Sequence, residues 1–207
     1  MSAHRSQPMT DDQDRRLLPT TSATTPTERN ASASDQHIRR WRRLIEHGTR
    51  RVHIAGVTRN VTSEWATQQA RNLLMTLDDT LTAAIRYLIR DNAGYFTEAF
   101  DAVFNAIGAQ VVPILPGVPR MNAIAERWVG SCRREATGRV LITGERHLRL
   151  VVDEYAAHHN EHRPHRSLGQ RCPDAVGTPE PPAADDQSRV IRRDRLGGLI
   201  HEYAQVA

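Results

Sequence analysis

The chain reads as an α/β protein, with a central sheet covered by helices. Three observations predict this class. Short apolar runs are bounded by turn residues, amphipathic stretches recur at helical spacing, and the two alternate between residues 38 and 170. The predicted order is hairpin, helix, strand, helix, strand, helices.

Each element follows from its local pattern. His47-Gly48-Thr49 is a turn between a weak strand at 41–46 and the strand Arg51–Thr58. The first of these is weak because Arg42 and Arg43 stand at positions that a sheet should bury. Ser63 is the expected cap of a helix over 63–79, whose face is built by Trp65, Ala66, Gln69, Ala70, Leu73 and Leu77. Ile85–Ile89 is a short apolar strand with Asp91 just beyond it. Thr97 is the expected cap of a helix that buries Phe100, Val103, Phe104 and Ile107 and stops at Gly108. Gln110–Leu115 reads as a buried strand and 116–119 as a Pro/Gly loop. Helices are expected over 122–136 and 145–159.

The ends differ from this middle. Residues 1–37 are rich in Ser, Thr, Pro and Gln and are expected to be a disordered or unrelated tail, since they bury too little apolar area to offset ordering entropy. Residues 171–207 form a Pro- and Asp-rich tail closing on a short basic segment, 190–203.

Composition sets the outer limits. In 207 residues the hydrophobic share is 39% and the aromatic share 5%, so the core is modest and comes from part of the chain. All 28 basic residues are arginine, the formal charge is +4 and the pI is near 9.7. That balance suits phosphate oxygens but equally reflects codon usage. Two cysteines, Cys132 and Cys172, exclude a disulfide framework. The chain shows no signal-peptide pattern and no apolar run of the roughly 20 residues needed to span a bilayer, and a cytoplasmic location is expected.

The chemistry rests on Asp91 and Glu126, 34 residues apart, one after a strand and one on the first turns of a helix. Carboxylates converging from separate elements can share divalent metals, the arrangement that cuts and joins phosphodiesters. By spacing alone the plainer alternatives, a turn former and a solvated helical Glu, outweigh that reading. The flanking words shift the balance. Glu126 lies within Pro119-Arg120-Met121-Asn122-Ala123-Ile124-Ala125-Glu126-Arg127, and the later stretch runs His159-Asn160-Glu161-His162-Arg163-Pro164-His165-Arg166-Ser167-Leu168.

From about Ile45 to Leu168 these words, in this order, resemble the catalytic core of DDE insertion-sequence transposases and retroviral-type integrases. The resemblance implies a ribonuclease-H-like mixed sheet, Mg²⁺ or Mn²⁺, and cleavage and joining of DNA ends. It also implies a homo-oligomer, or an intact transposase as partner. Asp91 matches the second catalytic aspartate and Glu126 the glutamate, as metal ligands. Arg120, Asn122 and Arg127 become DNA contacts, a role no stronger than that of helix start or surface charge. His159 stands where that family usually has Tyr.

One part of the pattern is not met. The resemblance calls for an aspartate on a first, central strand near residues 25–33, and that stretch has neither strand character nor an aspartate. Asp35 is the nearest aspartate and Glu28 a weaker substitute. The expectation is a ribonuclease-H-like core, 38–170, with its first strand missing, in a truncated or degenerate copy. The competing readings are a non-catalytic nucleic-acid-binding remnant of a transposase and a chain that never folds stably. His158, His159, His162 and His165 near Cys172 have one zinc-like spacing, but there is no paired-cysteine knuckle and Pro164 disrupts the helix, and the reading as polar residues of the segment that closes the core is preferred.

Overall fold

The computed structural model describes residues 17–22, 41–178 and 189–206. A five-stranded sheet has the order β3-β2-β1-β4-β5. Its strands are β1 (Leu17–Ser22), β2 (Trp41–Ile45), β3 (Val52–Val57), β4 (Tyr87–Arg90) and β5 (Gln110–Pro113). The first three are antiparallel neighbours, while β4 runs parallel to both β1 and β5.

The first strand is therefore present, and this corrects the sequence expectation. Leu17–Ser22 lies inside the stretch read as a tail and occupies the centre of the sheet. Its sequence, Leu-Leu-Pro-Thr-Thr-Ser, hid it. Proline cannot donate to a ladder and argues against a central strand, and the run has only two aliphatic residues. Pairing on both edges with β2 and β4 supplies what its composition does not. The stretch 25–33 and Asp35 lie outside the described residues.

The weak strand at Arg42-Arg43 also forms. Its register with β3 shifts between these residues, with Arg42 opposite Gly56 and Arg43 opposite Ile54, so Ala55 is the extra residue of a bulge. Both arginines are buried, Arg42 to 4% and Arg43 to 1% exposure. Arg42 packs over the Tyr95 ring at 4.5 Å and Arg43 over Trp128 at 5.7 Å. Aromatic faces offset part of the cost of desolvating a guanidinium.

Helices cover both faces. On one side lie α1 (Ser63–Thr76), α2 (Asp79–Ala84) and α3 (Glu98–Asn105). Thr62, one residue before the expected cap, accepts from the Trp65 amide and begins α1. The short α2 was not anticipated; Asp78 caps it by accepting from the Leu81 amide at 2.7 Å. Thr97 sits at the start of α3 without making a side-chain cap bond. Phe96, Phe100 and Phe104 stack in succession at 4.5 and 5.3 Å against Leu44 and Leu88 of the sheet. The edge strand β5 is only partly buried.

On the other face lie α4 (Ala123–Cys132), a π-helical turn at Arg133–Thr137 and α5 (Glu145–Glu161). Trp128, Val129, Val152 and Tyr155 pack there with Ile45 and Val52. The C-terminal basic segment is a hairpin, β6 (Arg189–Arg195) and β7 (Ile200–Val206), seated on α5 through Ile200.

Candidate active site

Asp91 follows the last residue of β4, at the carboxyl edge of the sheet where α/β folds place ligands. Arg90 fixes that corner. Its Nε and Nη2 each donate at 2.7 Å to the Asp101 carboxylate on α3, and its Nη1 donates at 3.0 Å to the Asp91 carbonyl. The Asp91 Oδ1 accepts from the Ala93 amide at 3.1 Å, closing an Asx turn. Asn92 Nδ2 donates at 2.8 Å to the Ile114 carbonyl and pins the loop to the end of β5.

Glu126 lies in the first turn of α4, exposed to solvent. The chain enters α4 through a 3₁₀ turn at Pro119–Asn122. Arg120 and Arg127 are exposed, whereas Asn122 is buried to 8% exposure.

Arg43 connects the two carboxylate elements, and sequence reasoning did not single it out as a site residue. Its Nη2 donates at 3.1 Å to the carbonyl of Ala125, the residue before Glu126. Burial is the main force on its pKa, pulling it down to about 9 with help from Arg42, while Asp91 pushes the other way. Sheet register explains the reach. The β1–β4 ladder ends at Thr20 opposite Arg90, which leaves Asp91 level with Thr21, and Thr21 is paired with Arg43. Two strand spacings of about 4.8 Å separate Arg43 from Asp91 along that row, a distance a long arginine can cross. With a pKa near 9 the guanidinium is a cation at neutral pH.

Among the described residues, Asp91 and Glu126 alone do not make up the donor set of a two-metal site. No residue of β1 is acidic, so the strand beside Asp91 offers no bridging carboxylate. Among the described residues no three of His, Cys, Asp and Glu gather as a possible metal cluster.

The residues of the later motif prove architectural. Asn160 clamps the start of β3, accepting from the Val52 amide and donating to its carbonyl, both at 2.9 Å. Arg163 grips Glu135 of the π-helical turn with both Nη atoms, Nη2 to Oε1 at 2.8 Å, and Tyr155 donates to the same carboxylate at 2.9 Å. Burial raises the Glu135 pKa, but Arg163 and Tyr155 outweigh it and hold the carboxyl below its usual range. His158 and His162 meet Glu202 of β7, at 3.1 and 3.3 Å. His159 packs against the Arg50 carbonyl through Nε2 at 3.2 Å. The histidines thus face carboxylate or backbone rather than one shared metal position.

Comparison with known proteins gives a consistent result. Residues 107–173 match the family described as Integrase core domain. A protein named "Insertion element IS476 uncharacterized 39.2 kDa protein" of Xanthomonas euvesicatoria is 34% identical over 84 residues, which is 40% of this chain and 24% of that protein. The chain thus spans about a quarter of the length of that relative. In three dimensions the chain is similar to a chain of the simian T-cell lymphotropic virus intasome in complex with PP2A regulatory subunit B56 gamma. The TM-score is 0.53 at 10% identity, over 93% of this chain and 67% of that one. The catalytic core domain of BIV integrase aligns over 76% of this chain and 91% of that one, with a TM-score of 0.49 and 15% identity. The fold is the ribonuclease-H-like mixed sheet of integrase cores. No described helix is long and apolar enough to cross a membrane.

Proposed function

From a chain that carries an integrase core domain and is related to an insertion-element protein, we propose a DNA-binding transposase-type core that does not itself transfer strands. The observation that carries this reading is that β1, the strand beside Asp91, offers no acidic residue, while buried Arg43 of the next strand is tied to the Ala125 carbonyl beside Glu126. Integrase cores in general work on DNA through divalent metals. Here Asp91 and Glu126 are the carboxylates that Mg²⁺ or Mn²⁺ would require, and among the described residues β1 supplies no bridging third.

DNA is held by charge. Exposed Arg120 and Arg127 flank Glu126 on the α4 approach and face the phosphate backbone, contributing affinity without sequence information. The chain acts on mobile-element DNA in the cytoplasm, as a homo-oligomer or beside an intact transposase. Its core spans 38–170 together with the strand at 17–22, and the hairpin Arg189–Val206 docks on α5.

A second reading, DDE-type strand transfer, draws support from the fixed placement of Asp91 by Arg90 and Asp101. One experiment separates the two. The purified chain is given mobile-element ends and Mg²⁺ or Mn²⁺, with Asp91→Asn as control. Duplex binding that weakens steeply with salt, is unchanged by Asp91→Asn and brings no nicking supports the binding reading. Metal-dependent joining that Asp91→Asn abolishes overturns it.

A further inference from the structure

A cavity of about 190 Å³ lies between the β2–β3 turn, α4 and the segment after α5. It has room for about six waters. Its floor is apolar, from Ile45 and Trp128, and its walls are cationic: Arg50 from the turn, Arg127 from α4 and Arg163 from beyond α5. Among the described residues, none of those lining it is acidic.

The three guanidiniums are not equivalent. Arg163 is already held by Glu135. Arg50 has no such partner: its Nη1 is buried and makes no hydrogen bond among the described residues. Burial and then the neighbouring Arg127 depress the Arg50 pKa, so two like charges face one another across the opening. Two buried ring nitrogens, His165 Nε2 and His159 Nδ1, also lack partners among the described residues, the latter as the acceptor of a ring whose Nε2–H meets the Arg50 carbonyl. His159 is neutral, pushed down to about 3 by burial first and by His165 next. Ser131 adds a hydroxyl whose Oγ accepts from Arg134, leaving its proton to donate.

A buried Arg50 donor without an acceptor, beside the cation of Arg127 and the hydroxyl of Ser131, describes the complement of an oxyanion. The Arg50 backbone supports the arrangement. Its φ of 66° is a left-handed conformation unusual for arginine, and its carbonyl lies 3.2 Å from His159 Nε2, an N–H···O contact that fixes the turn against α5. The side chain therefore springs from an anchored turn.

We propose that this cavity is a phosphate-binding site, with Arg50 and Arg127 supplying the charge and Ser131 and His165 the neutral hydrogen bonds. The phosphate belongs to the backbone of a bound DNA, a statement that rests on the DNA-binding reading above. The site lies on the same helix as Glu126 but is distinct from the carboxylate corner, and it needs no metal.

The test uses the full chain, labelled with ¹⁵N, titrated first with inorganic phosphate and then with a short DNA duplex. Saturable shifts of the Arg50 and Arg127 Nε–H signals and of the His165 ring are expected. Arg50→Gln and Arg127→Gln should each weaken phosphate binding by about tenfold or more, the loss of one charge-assisted hydrogen bond. Arg127 is on the surface, so its variant keeps the proposal testable should Arg50→Gln unfold. Arg149→Gln, an exposed arginine paired with Asp153 on α5, is expected to bind as the parent does. Absence of a saturable shift, or equal weakening by Arg149→Gln, overturns the site. Displacement of phosphate by the duplex assigns the ligand to DNA. Phosphate binding that the duplex leaves unchanged supports the site and overturns its assignment to DNA. Duplex binding unaffected by Arg50→Gln and Arg127→Gln overturns the cavity's role while leaving the DNA-binding reading standing.

Discussion

Arg43 on β2 donates a 3.1 Å hydrogen bond to the carbonyl of Ala125 on α4, tying the sheet to the helix turn that carries Glu126. Depth is what makes this bond consequential. The side chain is 1% exposed and its pKa is pulled down to about 9 by burial first, so the folded state binds this proton less tightly than the unfolded chain does.

Arg43→Met should therefore raise stability by about 1 kcal/mol at pH 7, because an apolar side chain of similar length avoids desolvating a charge. The sign with pH is fixed by linkage. Between pH 9 and the unfolded pKa of 12.5 the unfolded chain holds more protons at this site, so this group's contribution to stability rises with pH. The advantage of Arg43→Met should shrink from pH 8 to pH 10.5. Urea midpoints of both proteins at these pH values check it; an advantage that grows with pH would sink the account.

Asn160 makes two hydrogen bonds to the backbone of Val52, the first residue of β3. Asn160→Ala should cost about 1–3 kcal/mol by leaving that amide and carbonyl without partners. Asn160→Asp should cost at least as much, since a carboxylate cannot donate to the Val52 carbonyl. Thermal unfolding of the two variants beside the parent measures both.

Glu202 fastens the C-terminal hairpin to α5. It receives Arg195 Nε at 3.0 Å and His158 Nδ1 at 3.1 Å, with His162 at 3.3 Å, and its side chain is 2% exposed. Burial raises its pKa, but Arg195 and His158 outweigh that, and the net shift is downward. A depressed folded pKa contributes stability above the unfolded value of 4.5 that is lost as pH falls through the folded one. Glu202→Gln should cost about 2 kcal/mol at pH 7 and little once the parent's carboxyl is protonated. Hydrogen exchange along 200–206 should accelerate in the variant at neutral pH; unchanged protection there would contradict this docking role.

Gly56 on β3 has no room for a side chain. A Cβ would come within 2.7 Å of Gln69 Oε1 and 2.8 Å of the Trp65 ring, both on α1. Gly56→Ala should cost about 1–3 kcal/mol through displacement of α1 from the sheet. Near-ultraviolet circular dichroism of Trp65 together with the melting midpoint reports it.

The sequence by itself determined most of the alternation of elements from β3 to α5, though not the short α2, and the positions of Asp91 and Glu126 on a strand end and a helix start. Those features are local: turn residues, helical spacing and motif words are written in adjacent residues. It also determined that no acidic residue stands in Leu17–Ser22, whatever that segment becomes. Only the tertiary structure decided that this Pro- and Thr-rich segment is the central strand, because strand identity there comes from two partners far along the chain. The same holds for Arg43. In sequence it counts against a buried strand. In the fold, a bulge in β3, the Trp128 face and the Ala125 carbonyl give its charge a place between the sheet and α4. The cationic cavity was equally out of reach, since Arg50, Arg127 and His165 meet only when the turn, α4 and the end of α5 pack together. Long-range pairing and burial set these positions, and neither leaves a periodic trace in the chain.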